Sequence, residues 1–361
     1  MYYATVAFCS TMLFLFALRY AAHHFGLIDS PSPRKTHAGE VPLVGGLAIG
    51  SAFLTTLFVQ APLDFPLAPF SIACVIVLAT GLFDDLKEFS AKSKLIGQLT
   101  AAVLMTSWAG LFLVDLGNLW GAGDIVLKNW AIPFTVFCVI GIMNSMNMID
   151  GLDGFAGGVA AIAAFWLCLA GGLRIPLHDS QLLCVLLAAI CAFLVFNLRH
   201  PWRARAVVFL GDAGSMFLGF ALVWFAVDMT QNPPRYFYAI SAVWILGVPI
   251  MDTVYVLLRR MIRGQSPFAP DRRHVHHTLM YIGLNEAQTC WVLLAVSMLF
   301  GAVGFFGWFY GVPEYFLAYG FVATFAVHCV FMQNWRQILG FVGIKTRPFV
   351  ARSRPVMTGN E

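Results

Sequence analysis

Charge is what this 361-residue chain has least of: Asp, Glu, Lys and Arg make up 11% of it, against about 25% in an ordinary soluble protein. Set beside a hydrophobic fraction of 60%, that shortage excludes a soluble fold. Polar low-complexity tracts are lacking too, and 33 Phe and 10 Trp exclude a disordered or fibrous chain. A net charge of +4 is too small for a nucleic-acid surface. None of the eight cysteines stands in a CxxC pair or at metal-ligand spacing. All eight lie in apolar runs and read as small buried hydrophobes, with no disulfide framework implied. The opening MYYATVAFCSTMLFLFALRY has neither a basic leader nor a small-residue cleavage site, so it reads as a retained first span.

What the chain has instead is apolar length, with a mean hydropathy of +0.78. At about 20 residues per span, the runs predict helices at 3–22, 42–61, 68–84, 95–114, 130–148, 155–172, 181–198, 207–227, 237–258, 288–309 and 313–333. The expected fold class is all-α: a single membrane-embedded domain over 1–361 with about eleven transmembrane helices and a short tail at 334–361. Basic residues then choose the orientation. The alternate connections that begin with 23–41, together with the tail, hold 18 of the 22 Lys and Arg. This places the N-terminus outside and the C-terminus in the cytoplasm.

Four polar clusters interrupt the apolar runs: GLFDDLKEFSAKSK, NSMNMIDGLDGFAGG, FLGDAGS and SPFAPDRRHVHH. A carboxylate at membrane depth costs at least about 2.5–3.5 kcal/mol, so each needs a reason. All four fall on the side assigned to the cytoplasm by Lys and Arg alone, which argues for one site there. Adjacent Asp84 and Asp85 at a helix end point about 100° apart, so one can face a metal or phosphate while the other holds a neighbour. Asn144, Asn147, Asp150 and Asp153 recur every three residues and would make one polar stripe on a helix. Oxygen ligands of this kind suit a hard cation such as Mg²⁺. Asp212 in GDAGS stands at the mouth of a span, where it could equally cap the helix. The HVHH sequence suggests zinc at first sight, but Arg259, Arg260, Arg263, Arg272 and Arg273 beside it favour phosphate over a divalent cation. Asp252 in PIMDT reads as intermediate, a group that holds its span against the polar centre. Carboxylates and Asn for a cation, basic groups for a diphosphate, and histidines at the membrane face together describe phosphoryl-type transfer between a soluble nucleotide and a lipid.

The ordered set DD, NxxNxxDGxDG, GDxGS and PDRxHxHH resembles the polyprenyl-phosphate N-acetylhexosamine-1-phosphate transferases over essentially the whole chain. The PDRRHVHH form is similar to the branch that begins O-antigen, common-antigen and teichoic-acid synthesis on N-acetylglucosamine. The resemblance implies a bacterial inner-membrane enzyme, active at the cytoplasmic face, whose partners are UDP-N-acetylglucosamine, undecaprenyl phosphate and membrane lipid, with UMP released. It implies Mg²⁺, with Mn²⁺ as an alternative ion, held by Asp212 and Asn147. Asp153 and Phe209 would hold the uracil. Lys94 would meet the diphosphate, with Lys35 or His37 adding a phosphate contact, and Arg272, His274, His276 and His277 would line the sugar-phosphate side. Asp84 would take the proton from the lipid phosphate, Asp85 would orient it and Asp150 would support the metal site. Another UDP-N-acetylhexosamine donor is the alternative within this reading. An ion-coupled transporter, with acids strung along a path through the bilayer, is the alternative from another class.

Overall fold

A computed structural model of the protein describes residues 2–30, 39–61, 64–87, 89–174, 177–200, 203–231, 237–266 and 274–341. The described chain is helical almost throughout. In order it forms α1 (Tyr2–Phe25), α2 (Gly45–Gln60), α3 (Leu67–Lys87), α4 (Ala91–Val103), α5 (Ala131–Ile149), α6 (Phe155–Arg174), α7 (Leu177–Asn197), α8 (Gly211–Gln231), α9 (Ala239–Ile245), α10 (Gly247–Ile262), α11 (Val275–Ile282), α12 (Glu286–Phe309) and α13 (Glu314–Phe341). A two-residue antiparallel pair, Ile28–Asp29 against Val41–Pro42, is the one sheet among the described residues. Among the described residues, eight helices are long and apolar enough to cross a membrane, or nine with α9 and α10 taken as one broken span.

Each expected span has a helical counterpart, but three differ in form. The segment expected at 42–61 folds as the 16-residue α2. The one expected at 95–114 begins earlier, at Ala91, because the Ser90 hydroxyl accepts from the Ser93 N–H at 3.2 Å and caps α4. It runs on as a five-residue π-helix, Leu104–Trp108, and then leaves helical geometry. The span expected at 237–258 is bent by 81° between α9 and α10. Pro249 accounts for the break: it has no N–H to give the Ile245 carbonyl, and its ring would collide with that carbonyl in a continuous helix.

Helix α8 is the core of the bundle, buried along almost its whole length and packed on α2, α3, α5 and α6. Lipid is as apolar as a leucine side chain, so helices in a membrane associate by close packing, not by escape from water. Small residues permit it here. A Cβ on Gly46 would lie 2.1 Å from the Gly214 backbone, and one on Gly81 would lie 2.3 Å from Ala213 Cα. Farther along α8 the contacts are aromatic, with Phe70 edge-on to Trp224 at 4.9 Å and Phe53 against Phe217 at 6.1 Å. Helices α1 and α13 lie at the periphery and expose large apolar side chains such as Leu13, Tyr20, Val322 and Val327, as lipid-facing helices do.

The cysteines depart from expectation. Cys168 of α6 and Cys184 of α7 form a disulfide with Cα atoms 6.1 Å apart, and Cys9 and Cys191 are exposed. Separated by 16 residues on two successive helices, this pair has no sequence spacing that distinguishes it from two buried thiols.

Candidate active site

The C-terminal end of α3, the N-terminal end of α4, the C-terminal end of α5 and the N-terminal end of α8 meet at one end of the bundle, and each brings polar side chains. Lys94, one turn into α4, is the hub. Its ammonium pairs with Asp84 and lies 2.6 Å from Asp212 Oδ2. The second Asp212 oxygen accepts from Asn147 Nδ2 at 2.8 Å, and the same amide donates to Ser215 Oγ at 3.0 Å. Asp84 is buried, while Asp212 and Asn147 are half-buried.

Asp85 turns away from its neighbour, as the angular offset on a helix requires. Its two oxygens accept from the N–H groups of Asp212 at 2.8 Å and Ala213 at 3.2 Å, which are orphan donors of the first turn of α8. The approach depends on Gly211, whose φ of +74° favours glycine and whose missing Cβ would sit 2.7 Å from Asp85 Oδ2. This turn also corrects the start of the span expected at 207. Phe209 and Leu210 are not helical, accepting through their carbonyls from Gly45 and Gly46 N–H at 2.9 Å, and the helix begins only at Gly211. Half-buried Phe209 is thereby fixed by its backbone beside the start of α2.

The expected polar stripe does not run as one helix. It begins on α5, but the helix stops at Ile149, with Asp150 at φ −76°, ψ 53° and Gly154 at φ +83°. On α5 itself Asn144 exchanges hydrogen bonds with Gln98, while Asn147, one turn on, faces Asp212. Asp153, past the turn, accepts at one oxygen from Arg199 Nε at 2.7 Å and from Ala206 N–H at 3.0 Å. Arg199 also pairs with Glu286 at the start of α12. Asp150 lies between these groups. Burial first, then the like charges of Asp212, Asp85 and Asp153, push its carboxyl well above the usual carboxylate range.

The histidine cluster abuts the same turn. A Cβ on Gly151 would lie 2.9 Å from His276 Nε2, so the glycine between the two acids lets the two motifs touch. His274 and His276 are buried, with rings parallel within 6° and centroids 5.6 Å apart, and His277 follows with its centroid 4.2 Å from that of His276. Burial, with the neighbouring His277, pushes His276 down to about 3. His274 Nδ1 lies 2.7 Å from Asp252 Oδ2, and Asp252 Oδ1 accepts from the Val275 N–H at 2.8 Å.

The structure thus brings Asp84, Asp85, Lys94, Asn147, Asp150 and Asp212 into one cluster and sets His274, His276 and His277 beside it across the Asp150–Gly154 turn. Lys35, His37 and Arg272 lie outside the described residues. Arg199, Glu286 and the Asp252–His274 pair are additions. Arg199 reads in sequence as one more topology-setting cation, and no local spacing ties it to Asp153, 46 residues away.

Among the described residues no group of three or more His, Cys, Asp or Glu is arranged as a closed metal cage. The donor set nevertheless fits a hard cation. Two carboxylates on separate helices, Asp84 and Asp212, already converge on one positive charge, the Lys94 ammonium. Asp85 and Asp150 add further negative charge, and the donors are oxygens. An ion that keeps part of its water and shares phosphate oxygens needs only one or two such carboxylates from the protein.

A bundle of many apolar helices with one carboxylate- and histidine-lined site at the ends of its helices defines a multi-pass membrane protein with a charged site at one end of the bundle. A family model described as "Glycosyl transferase family 4" matches residues 67–230, from α3 through α8. Similar proteins include the "Undecaprenyl-phosphate alpha-N-acetylglucosaminyl 1-phosphate transferase" of Escherichia coli strain K12, 32% identical over 327 residues that cover 89% of this chain and 88% of the relative. The protein of that name from Haemophilus influenzae is 34% identical over 337 residues, 92% and 94% of the two chains. The one from Yersinia pestis is 32% identical over 339 residues, 91% and 90%. The chain belongs to glycosyl transferase family 4.

Proposed function

We propose that the protein transfers N-acetylglucosamine-1-phosphate from UDP-N-acetylglucosamine to undecaprenyl phosphate, releasing UMP and giving a lipid-linked diphosphate sugar, the first unit of a cell-surface polysaccharide. The observation that carries this reading is the convergence of Asp84, Lys94, Asn147 and Asp212 from four helices at one end of a membrane-buried bundle. Relatives bearing that activity in their name, alike over nearly the full length, support it. The described residues of the four motifs gather at one end of the bundle, which disfavours a path through the bilayer.

In this reading an oxygen of the lipid phosphate attacks the β-phosphorus of the sugar nucleotide. The bond from that phosphorus to the oxygen bridging to the α-phosphate breaks, and the electron pair leaves with UMP. Asp84 takes the proton of a monoprotonated lipid phosphate, and Asp85, clamped on the N-terminus of α8, fixes the geometry of the pair. Asp212 and Asn147 hold Mg²⁺ with support from Asp150; the ion supplies charge compensation on the diphosphate. Lys94 meets the diphosphate once it leaves its carboxylates. Asp153 hydrogen-bonds the uracil through the oxygen not shared by Arg199 and Ala206, Phe209 stacks on it, and His274, His276, His277 and Arg272 face the sugar phosphate. Lys35 or His37 adds a phosphate contact. The site opens to the cytoplasm, in a chain of eleven crossings whose N-terminus is outside.

Purified protein given UDP-N-acetylglucosamine, undecaprenyl phosphate and Mg²⁺ is expected to release UMP. Asp212→Asn and Asp84→Asn should each lower turnover by at least about 10², the scale on which loss of a transition-state charge partner is felt. Folded wild-type protein that releases no UMP under these conditions refutes the reading. A panel of UDP-sugars in the same assay identifies the donor.

A further inference from the structure

The proposed chemistry assigns no task to Asp252, although it is among the most completely buried acids in the chain, at 1% exposure. It stands on α10 just beyond the break that Pro249 makes, and both of its oxygens reach across 22 or 23 residues of sequence to the histidine motif. Oδ1 takes the Val275 N–H, a donor in the first turn of α11 with no partner inside its own helix. Oδ2 takes His274 Nδ1. A carboxylate can only accept, so Nδ1 carries the hydrogen, and a neutral ring is thereby left with its lone pair on Nε2. The parallel stacking of His276 on His274, and the fit of His276 against Gly151, extend that fixed orientation to the edge of the carboxylate cluster.

We propose that Asp252 is a positioning residue: it locks His274 in the Nδ1–H form and fixes the direction in which Nε2 is offered to the reacting phosphate. The proposal rests on the functional reading above, in which His274 faces the sugar phosphate. The reason for burying a carboxylate so fully is then orientation of a second group, since an exposed polar tip would serve α11 equally well as a cap.

Asp252→Asn separates orientation from packing. The amide keeps the size of the carboxylate, and its oxygen can still accept from Val275 N–H. Its NH₂ then faces His274 Nδ1 and requires a lone pair there, which moves the ring hydrogen to Nε2. We expect kcat for UMP release to fall, by as much as the factor of about 10⁴ that a wrong tautomer costs at a His–Asp pair, with KM for UDP-N-acetylglucosamine changed less than about threefold. His274→Gln should cost a similar factor, and the double variant no more than His274→Gln alone, because two residues acting as a unit are not additive. Retention of wild-type kcat in Asp252→Asn, or losses that multiply in the double variant, overturns the proposal.

A spectroscopic arm is independent of turnover and of how well Asp252→Asn folds. In wild-type protein labelled with ¹⁵N-histidine, the resonance that disappears in His274→Gln should show a protonated Nδ1 at pH 8. A bare Nδ1 there overturns the assignment. Wild-type protein that releases no UMP refutes the functional reading, while the tautomer still decides whether Asp252 holds His274 as stated.

Discussion

His276 is buried as a neutral ring, and its folded pKa of about 3 lies below the ordinary value of about 6.5. Between those two values the unfolded chain binds more protons at this residue than the folded one. Stability therefore rises with pH across that window and is lost as pH falls through it. The thermal midpoint of purified protein should fall from pH 6.5 toward pH 4, and His276→Gln, which cannot take up that proton, should show a shallower decline. Identical pH profiles for the two proteins would refute the assignment. The same scale shows why some site residues are legible in sequence and others are not. The acids of DD, DGxDG and GDxGS declare themselves because charge in an apolar chain is conspicuous. Their division of labour does not: that Asp85 caps α8 while Asp84 meets Lys94 depends on Gly211 and on a helix more than a hundred residues away. Asp252 and Arg199 are ambiguous for the same reason, since their partners are brought near only by the fold.

Among the elements, glycine sets how closely α8 can be gripped. The Cβ of Gly46→Ala would meet the Gly214 backbone and that of Gly81→Ala the Ala213 backbone, where no side chain can move aside. Each should cost about 1–3 kcal/mol and, by displacing the start of α8, reduce UMP release as well. Gly141→Ala on α5, with nothing within 4 Å of the added carbon, should leave both unchanged. Thermal melting and the UMP assay on the three variants check this, and a wild-type melting point for Gly46→Ala would count against the packing argument. Helix positions are readable from apolar length, because lipid demands it. Helix ends and bends are less so. The early start of α4 needed the Ser90 cap, and the 81° break needed weight to be given to Gly247 and Pro249, which a hydropathy window smooths over. The stripe of Asn and Asp at period three reads as one helix, yet the glycines that follow it let the chain turn after Ile149.

On the scale of the whole molecule, the proposed orientation makes a simple prediction. A periplasm-dependent phosphatase fused at residue 123, between α4 and α5, should be active in cells. The same reporter fused at residue 264, just after α10, should be silent. The reverse result would invert the positive-inside assignment and move the site to the other face. The bundle also has an order of manufacture. Four of the helices packed around α8, namely α2, α3, α5 and α6, precede it in the chain. At about 5–20 residues per second, roughly 8–30 s separate the end of α2 from the start of α8. For that interval the nascent protein has walls without a centre, and Gly46 and Gly81 face a vacancy where Gly214 and Ala213 will sit. The carboxylates of α3 spend a somewhat shorter interval, roughly 6–25 s at the same rate, without Asp212 opposite them. The protein's own translation rate thus sets how long its most polar surface waits at the end of the growing bundle before the fold can close around it.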